Sequence, residues 1–313
     1  MSPVIPDRVA IDVARERIRD LAVRTPLIRL QGGARDDIYL KLETLQPVGS
    51  FKIRCAANAL LSRGDSCRSG VFTASAGNFA QGLAYAGRAR GIPVTSYVPD
   101  TAARSKVEAL QRFGARVVPL AYDRWWAMLA EPPADPAFIH PVMESEVLAG
   151  NATIGAEIVE DLPDVATVLA PYGGGGLACG IAAALKAYGS AAAVVASESE
   201  AGAPVRAAFA AGEPVTVPFA SSFITGMGGP TVIPAMWPLV RHLVAGTALV
   251  SLAETAAAVR MLAERHHVIA EGAGAAPVAA ALVGDHPGPV VCIVSGGHLD
   301  AAHLGIILAG GVP

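Results

Sequence analysis

The stretch VATVLAPYGGGGLACGIAAALKA, residues 165–187, reads as a strand, a glycine turn and a helix. Val165 to Ala170 is a short apolar run of the kind that fills a fully buried strand. From Leu177 to Ala187 small and apolar residues sustain a helix. Between them, Gly173, Gly174, Gly175 and Gly176 present no Cβ that would keep backbone N–H groups from an anion at the positive helix end. The turn is a candidate phosphate cradle. A rival fits the same residues. Gly173-x-Gly175-x-x-Ala178 satisfies the G-x-G-x-x-A dinucleotide fingerprint, and Glu198 follows about twenty residues on, where a ribose-binding acid would lie. On that segment alone a nicotinamide oxidoreductase fits.

Outward from this unit, β-rich runs alternate with helical ones. Val71–Thr73 precedes a helix over Ala80–Arg90, Pro93–Val98 precedes Arg104–Phe113, and Arg116–Leu120 leads into a polar, proline-rich patch from Asp123 to Pro136. A helix near Thr153–Glu160, a strand at Val194–Ser197, a helix over Glu254–Arg265 and a strand at Val290–Val294 follow. At the other end, Asp7 caps an amphipathic helix with Val9, Val13 and Leu21 among its apolar positions. The alternation predicts an α/β fold with mainly parallel sheets.

Composition agrees. Of 313 residues 52% are hydrophobic and 16% charged, which excludes a disordered chain, and 5% aromatic content suits helices packed closely on a sheet. A net charge of -3, with no basic stripe, argues against a nucleic-acid partner. Apolar runs break before the roughly 18 to 20 residues that span a bilayer, so no membrane role is expected. The opening MSPVIPDRVAID lacks the layout of a leader, and Cys55, Cys67, Cys179 and Cys292 form no CxxC pair. Buried free thiols in a reducing cytoplasm are expected.

Three further segments carry chemistry. Lys52, in Ser50-Phe51-Lys52, falls in the first turn of a helix that runs through IRCAANALLSR. Among apolar neighbours an amine is pushed toward its neutral form, which Schiff-base formation with an aldehyde requires; in solvent it is a plain surface charge. Ser75-Ala76-Gly77-Asn78-Phe79 links a strand to a helix, so its amides either cap that helix or receive a carboxylate. Ser295-Gly296-Gly297 sets a hydroxyl at the end of an apolar strand.

Taken together, these segments resemble the fold-type II pyridoxal 5′-phosphate (PLP) enzymes, especially serine/threonine dehydratases (ammonia-lyases) and serine racemase. The likeness runs from TPL at 25–27 through KLE at 41–43, GSFKIR at 49–54, TASAGNFAQGLAYA, SKVEALQRFGA, AGNATIGAEI, APYGGGGL and EGAGAA to VSGGH. It implies a tryptophan synthase β-like fold of two domains, a large PLP-binding one over 1–69 and 144–313 and a small one inserted at 70–143. It also implies that Lys52 holds PLP as a Schiff base and moves the substrate Cα proton. Phe51 would pack on the pyridine ring, Asn78 bond its 3-oxygen, Gly173 to Gly176 hold the phosphate, and Ser295 face the ring nitrogen. Ser75 and the amides of Ala76, Gly77, Asn78 and Phe79 would take the substrate carboxylate, which makes Lys52 and Ser75 the catalytic candidates. A hydroxyl rather than an aspartate at the ring nitrogen weakens the electron sink and favours prompt β-elimination.

The expected reaction is conversion of a 3-hydroxy amino acid (threonine, serine or a bulkier analogue) to a 2-oxo acid and ammonia. A β-replacement synthase or another amino-acid lyase is the alternative. Ala76 stands where serine racemases carry a basic serine, which argues for a lyase. Cys55, Phe79, Thr225-Gly226 and His298 replace residues more usual in relatives. Relatives often hold a divalent cation through an acidic pair, but Pro204 stands at the second position beyond Glu198, so no metal is expected. The paired Trp125-Trp126 reads as core or interface, with a bulkier substrate pocket as the other reading. A homodimer acting on a small-molecule substrate is implied by the resemblance.

Overall fold

Strand burial sorts the elements into two sheets. The computed structural model describes residues 3–33 and 35–313; Met1 and Ser2, which begin the stretch read for a leader, and Ala34 lie outside them. In chain order the elements are α1 (Arg8–Ile18), β1 (Leu27–Arg29), β2 (Ile38–Leu42), α2 (Lys52–Leu61), β3 (Val71–Ala74), α3 (Asn78–Arg90), β4 (Val94–Pro99) and α4 (Arg104–Arg112). Then follow β5 (Arg116–Leu120), α5 (Tyr122–Ala130), α6 (Ser145–Asp161), β6 (Thr167–Pro171), α7 (Gly176–Ala187), β7 (Ala193–Ser199) and α8 (Pro204–Ala211). The chain closes with α9 (Trp237–Leu243), β8 (Gly246–Val250), α10 (Leu252–His266), α11 (Gly272–Val283), β9 (Val290–Val294) and α12 (Ala301–Leu308).

One sheet has six strands in the order β1-β2-β9-β6-β7-β8, the other three in the order β3-β4-β5. Only β1 runs antiparallel, against β2; the other pairings are parallel. Every residue of β6 and β9 is buried, as central strands with helices on both faces require. Leu42 of β2 is level with Val294 of β9, so the turns after β2 and β9 leave the same edge of the sheet. Ligands of open α/β sheets bind at that carboxyl edge.

The polar, proline-rich patch from Asp123 to Pro136 holds a helix: Tyr122–Ala130 forms α5, because DRWWAMLA holds no proline or glycine and the prolines come only afterwards, at 132, 133 and 136. In α1, Val9 and Val13 face solvent while Ile11, Ala14 and Ile18 face the core; Asp7 does cap it, its Oδ1 accepting from the Ala10 N–H. The helix expected near Thr153 begins earlier, at Ser145, and is buried over most of its length. All four cysteines are free and buried. Among the described residues no helix is long and apolar enough to cross a membrane.

Candidate active site

The four segments converge at the carboxyl ends of the strands. Lys52 opens α2, the SAGN turn joins β3 to α3, the tetraglycine joins β6 to α7, and Ser295 follows β9. Backbone hydrogen bonds lock the lysine turn to the serine segment. Phe51 N donates to Ser295 O at 3.0 Å, Gly297 N to Gly49 O at 3.0 Å, and Ser50 pairs with Gly296 as an isolated bridge. Gly49 makes this turn at φ +69°, a conformation that favours glycine. From the other side, α3 seats on the lysine's own peptide: a Cβ at Gly82 would stand 3.0 Å from the Lys52 carbonyl. The Nζ of Lys52 lies 4.9 Å from the Phe51 ring centroid and 5.8 Å from that of Phe79. The lysine is half-buried between two apolar rings.

Asn78, the first residue of α3, donates from Nδ2 to Glu271 Oε1 at 3.0 Å. Glu271 itself precedes α11 and donates its N–H to Gly296 O at 2.9 Å. Thus a continuous chain of contacts joins the SAGN turn, Glu271, the SGG segment and the lysine turn. Burial pushes the Glu271 carboxyl up to about 7, against the lowering effects of Asn78, Lys106 and Lys52. Sequence reasoning missed this residue. EGAGAA offered one acid before a run of small residues, a pattern that also describes a solvated helix cap, and Asn78 lies far away along the chain.

The glycine turn is a shaped cradle. Gly175 has φ +91°, and a Cβ at Gly173 would stand 2.8 Å from Gly226 O, one at Gly174 2.7 Å from Val142 Cγ2. Three of the four positions therefore exclude a side chain by geometry. Phe51 shares a buried cluster with Tyr172 and Leu177, which ties the cradle to the lysine turn. Over the cradle, the segment 140–144 is held by His140, whose Nδ1 accepts from Val142 N at 3.0 Å and Met143 N at 2.9 Å, while Nε2 faces Leu129 O at 3.2 Å. Burial lowers His140 to about 4, so the ring stays neutral and its bonding pattern fixed at neutral pH.

The SAGN turn is open. Ser75, Ala76, Gly77 and Asn78 are partly accessible, and a Cβ on Gly77 would meet nothing within 4 Å, whereas Phe79 is buried. Ser75 Oγ accepts from Gly77 N at 3.4 Å and Ser75 N donates to Tyr97 O at 3.1 Å, which fixes the turn on the small sheet. Thr225 and Gly226 are exposed, and the His298 ring packs against Gly49. Trp125 donates from Nε1 to Tyr97 O at 3.1 Å and its ring packs at a tilt against those of Tyr122 and Trp126, so this pair anchors α5 to the small sheet.

Glu198 is already occupied. Its two oxygens accept from Val205 N at 2.7 Å and Arg206 N at 2.9 Å, at the start of α8. That placement removes it from the role of a ribose-binding acid. Glu200 likewise accepts from Leu252 N at 2.8 Å.

Several buried polar atoms near the glycine turn have no partner in the protein and are free to bond a bound group. Asn151 Nδ2 and Oδ1 and the Tyr172 hydroxyl are such atoms, and the Cβ positions of Gly176 and Gly175 fall 3.3 Å from Asn151 Nδ2 and 3.1 Å from the Tyr172 oxygen. Ser50 Oγ, beside Gly296, is another. A cradle that excludes side chains, orphaned polar atoms behind it and an amine between aromatic rings fit a phosphorylated aromatic aldehyde.

The comparisons agree with that geometry. Residues 18–296 match the pyridoxal-phosphate dependent enzyme family, and the chain belongs to it. Its cofactor is PLP, and the fold is that of the fold-type II members. An L-threonine ammonia-lyase of Geobacter sulfurreducens is 36% identical, over 96% of this chain and 78% of that protein. The L-threonine dehydratase catabolic TdcB of Staphylococcus aureus is 33% identical over 96% of this chain and 92% of its own length. The structure of maize serine racemase superposes with a TM-score of 0.86 at 29% identity, covering 96% of each chain.

Proposed function

We propose that this protein is a PLP-dependent lyase that removes the elements of water from a 3-hydroxy amino acid such as L-threonine or L-serine, giving a 2-oxo acid and ammonia. The observation that carries the reading is Lys52 held between Phe51 and Phe79, with its turn bonded to Ser295 and Gly297. The names of the two sequence relatives support the reaction class. When bound, PLP supplies an aldehyde for the lysine amine and a conjugated ring that withdraws electrons from the substrate Cα.

The chain's residues do the rest. The backbone amides of Gly173 to Gly176 would hold the phosphate, with Phe51 against the ring, Asn78 at its 3-oxygen and Ser295 at its nitrogen. Ser75 and the amides of Ala76 to Phe79 hold the substrate carboxylate, so the Cα–H bond points at the amine of Lys52. Lys52 takes that proton as general base. Lys52 returns that proton to the β-hydroxyl, which departs as water, and a second water hydrolyses the remaining carbon–nitrogen bond to release ammonia and leave the 2-oxo acid.

Racemisation is the second reading, favoured by the maize serine racemase likeness. Ala76 argues against it, since a methyl group cannot deliver a proton to the opposite face. Incubation with L-threonine and L-serine decides the matter: ammonia and 2-oxo acid in equal amounts support the lyase, and D-amino acid without ammonia overturns it. Product analysis with an added thiol separates elimination from β-replacement. We further propose that residues 70–143 act as a small domain, that the protein works as a homodimer, and that it resides in the cytoplasm. Sedimentation checks the dimer.

A further inference from the structure

The three buried polar residues of the central part of α6 differ in one respect. Thr153 donates to Gly150 O at 2.7 Å, and Glu157 pairs with Arg54 and Lys41, at 2.6 Å and 2.7 Å. Asn151 has no exposed surface and no partner for either end of its amide. Burying an amide unpaired is unfavourable, and an apolar residue of the same shape would serve a purely structural role better.

Its position is fixed from both sides. A Cβ at Gly150 would stand 2.6 Å from the Arg54 carbonyl oxygen of α2, and one at Gly180 2.8 Å from Asn151 Cβ, so α6 is clamped between α2 and α7. The amide is thereby presented at the first turn of α7, with Nδ2 3.3 Å from the point a Gly176 Cβ would occupy. Behind the neighbouring glycine stands the Tyr172 hydroxyl, also unpartnered. Two unpartnered groups thus lie against the glycine turn.

We propose that Asn151 belongs to the phosphate site: its Nδ2 donates a hydrogen bond to a phosphate oxygen of the cofactor seated on Gly173 to Gly176. The inference rests on the reading of that turn as the phosphate cradle. A phosphate dianion offers acceptors only, so Nδ2 is the donating atom, and a water of the phosphate shell donates to Oδ1. The neutral amide adds a donor from the side of the helix, where backbone N–H groups, which point along the axis, do not reach.

The test uses apoprotein with either Leu or Ala at position 151. PLP affinity is read by fluorescence titration, inorganic phosphate affinity by 31P NMR, and thermal stability by calorimetry. Asn151→Leu is expected to bind both ligands about ten- to a hundred-fold more weakly, the worth of one hydrogen bond to a charged group. Its apoprotein should melt at or above the wild-type temperature, because the unpaired amide is gone. Opposite effects on affinity and apo stability are what a purely structural asparagine would not give. Wild-type affinity for both ligands in folded Asn151→Leu overturns the proposal; if that variant does not fold, Asn151→Ala is judged by the same affinities. Borohydride trapping of PLP on wild-type Lys52, mapped by mass spectrometry, keeps the two readings apart. No trapped adduct and no phosphate binding in the wild type removes the cradle itself; trapping with an unchanged Asn151→Leu removes only this inference.

Discussion

Two buried polar regions lie on either side of α6, and they are built on opposite rules. On one side Lys41, Glu43, Arg54 and Glu157 form a charge-balanced quartet: Arg54 bonds Glu43 at 2.8 Å and Glu157 at 2.6 Å, and Lys41 bonds Glu157 at 2.7 Å. Lys41 also donates to Thr25 O at 2.6 Å, and Thr25 donates to Glu43. Burial pushes Glu157 up, but Arg54 and Lys41 outweigh it and hold the carboxyl below its ordinary value. On the other side, around the tetraglycine, Asn151, Tyr172 and Ser197 carry polar atoms that pair with nothing. The first network satisfies its own charges; the second leaves donors and acceptors free for the ligand proposed above. The first ties TPL, KLE, GSFKIR and GAEI to one another: their polar residues Thr25, Lys41, Glu43, Arg54 and Glu157 are one another's partners.

That contrast can be broken by exchanging the kinds of cost. Lys52→Ala, on the incomplete side, should lower kcat by about 10²- to 10⁴-fold in the ammonia assay. Its urea midpoint should stay near wild type, because the lysine makes no ion pair among the described residues. Arg54→Met, in the quartet, should cost about 3–5 kcal/mol of stability in urea melts, because it leaves Glu43 without a cation. Adding Glu43→Met to it should recover much of that loss, since a buried pair replaced by apolar groups is often tolerated.

Glu271 sits on the boundary, and its signature is pH. The buried carboxyl is raised from 4.5 to about 7, so between those values the folded protein holds a proton that the unfolded chain has released. Stability then falls as pH rises through that window and is level above it. Relative to Glu271→Gln, wild-type apoprotein should lose about 3 kcal/mol between pH 4.5 and 7. His140, held down to about 4, works in the opposite direction at acid pH, but equally in both proteins, so it cancels from the difference. The smallest effect belongs to Glu198→Ala, which removes the cap of α8 and should cost about 1 kcal/mol by thermal melt. Because both Glu198 oxygens are taken by N–H groups, dialysis against EDTA should leave the wild-type rate unchanged.

The strand–turn–helix units were legible because their signal is local. Alternating apolar runs give β3, β4, β5, β6 and β9 within a residue or two, and glycine and proline mark the turns between them. Four functional segments could be picked out for the same reason. What escaped depends on distance in sequence. Glu271 gains its meaning only beside Asn78, and Asn151 only beside Gly176. Glu198 was read for its spacing from the glycines, yet its partners are the amides of a helix that starts six residues later, at Pro204. The helix over Tyr122–Ala130 was not read from the sequence, because the prolines at 132, 133 and 136 dominated the patch that holds it.

Glycine on α6 has one further effect. Gly150 lets α2 rest on the helix backbone, and Gly155 does the same for α7, where a Cβ would stand 2.8 Å from the Ile181 carbonyl oxygen. The helix is therefore a shared ruler for the lysine turn and the glycine turn. A single added methyl group on it would shift both neighbours at once, so a lesion far from any ligand would be felt as a change in the spacing between the amine and the phosphate.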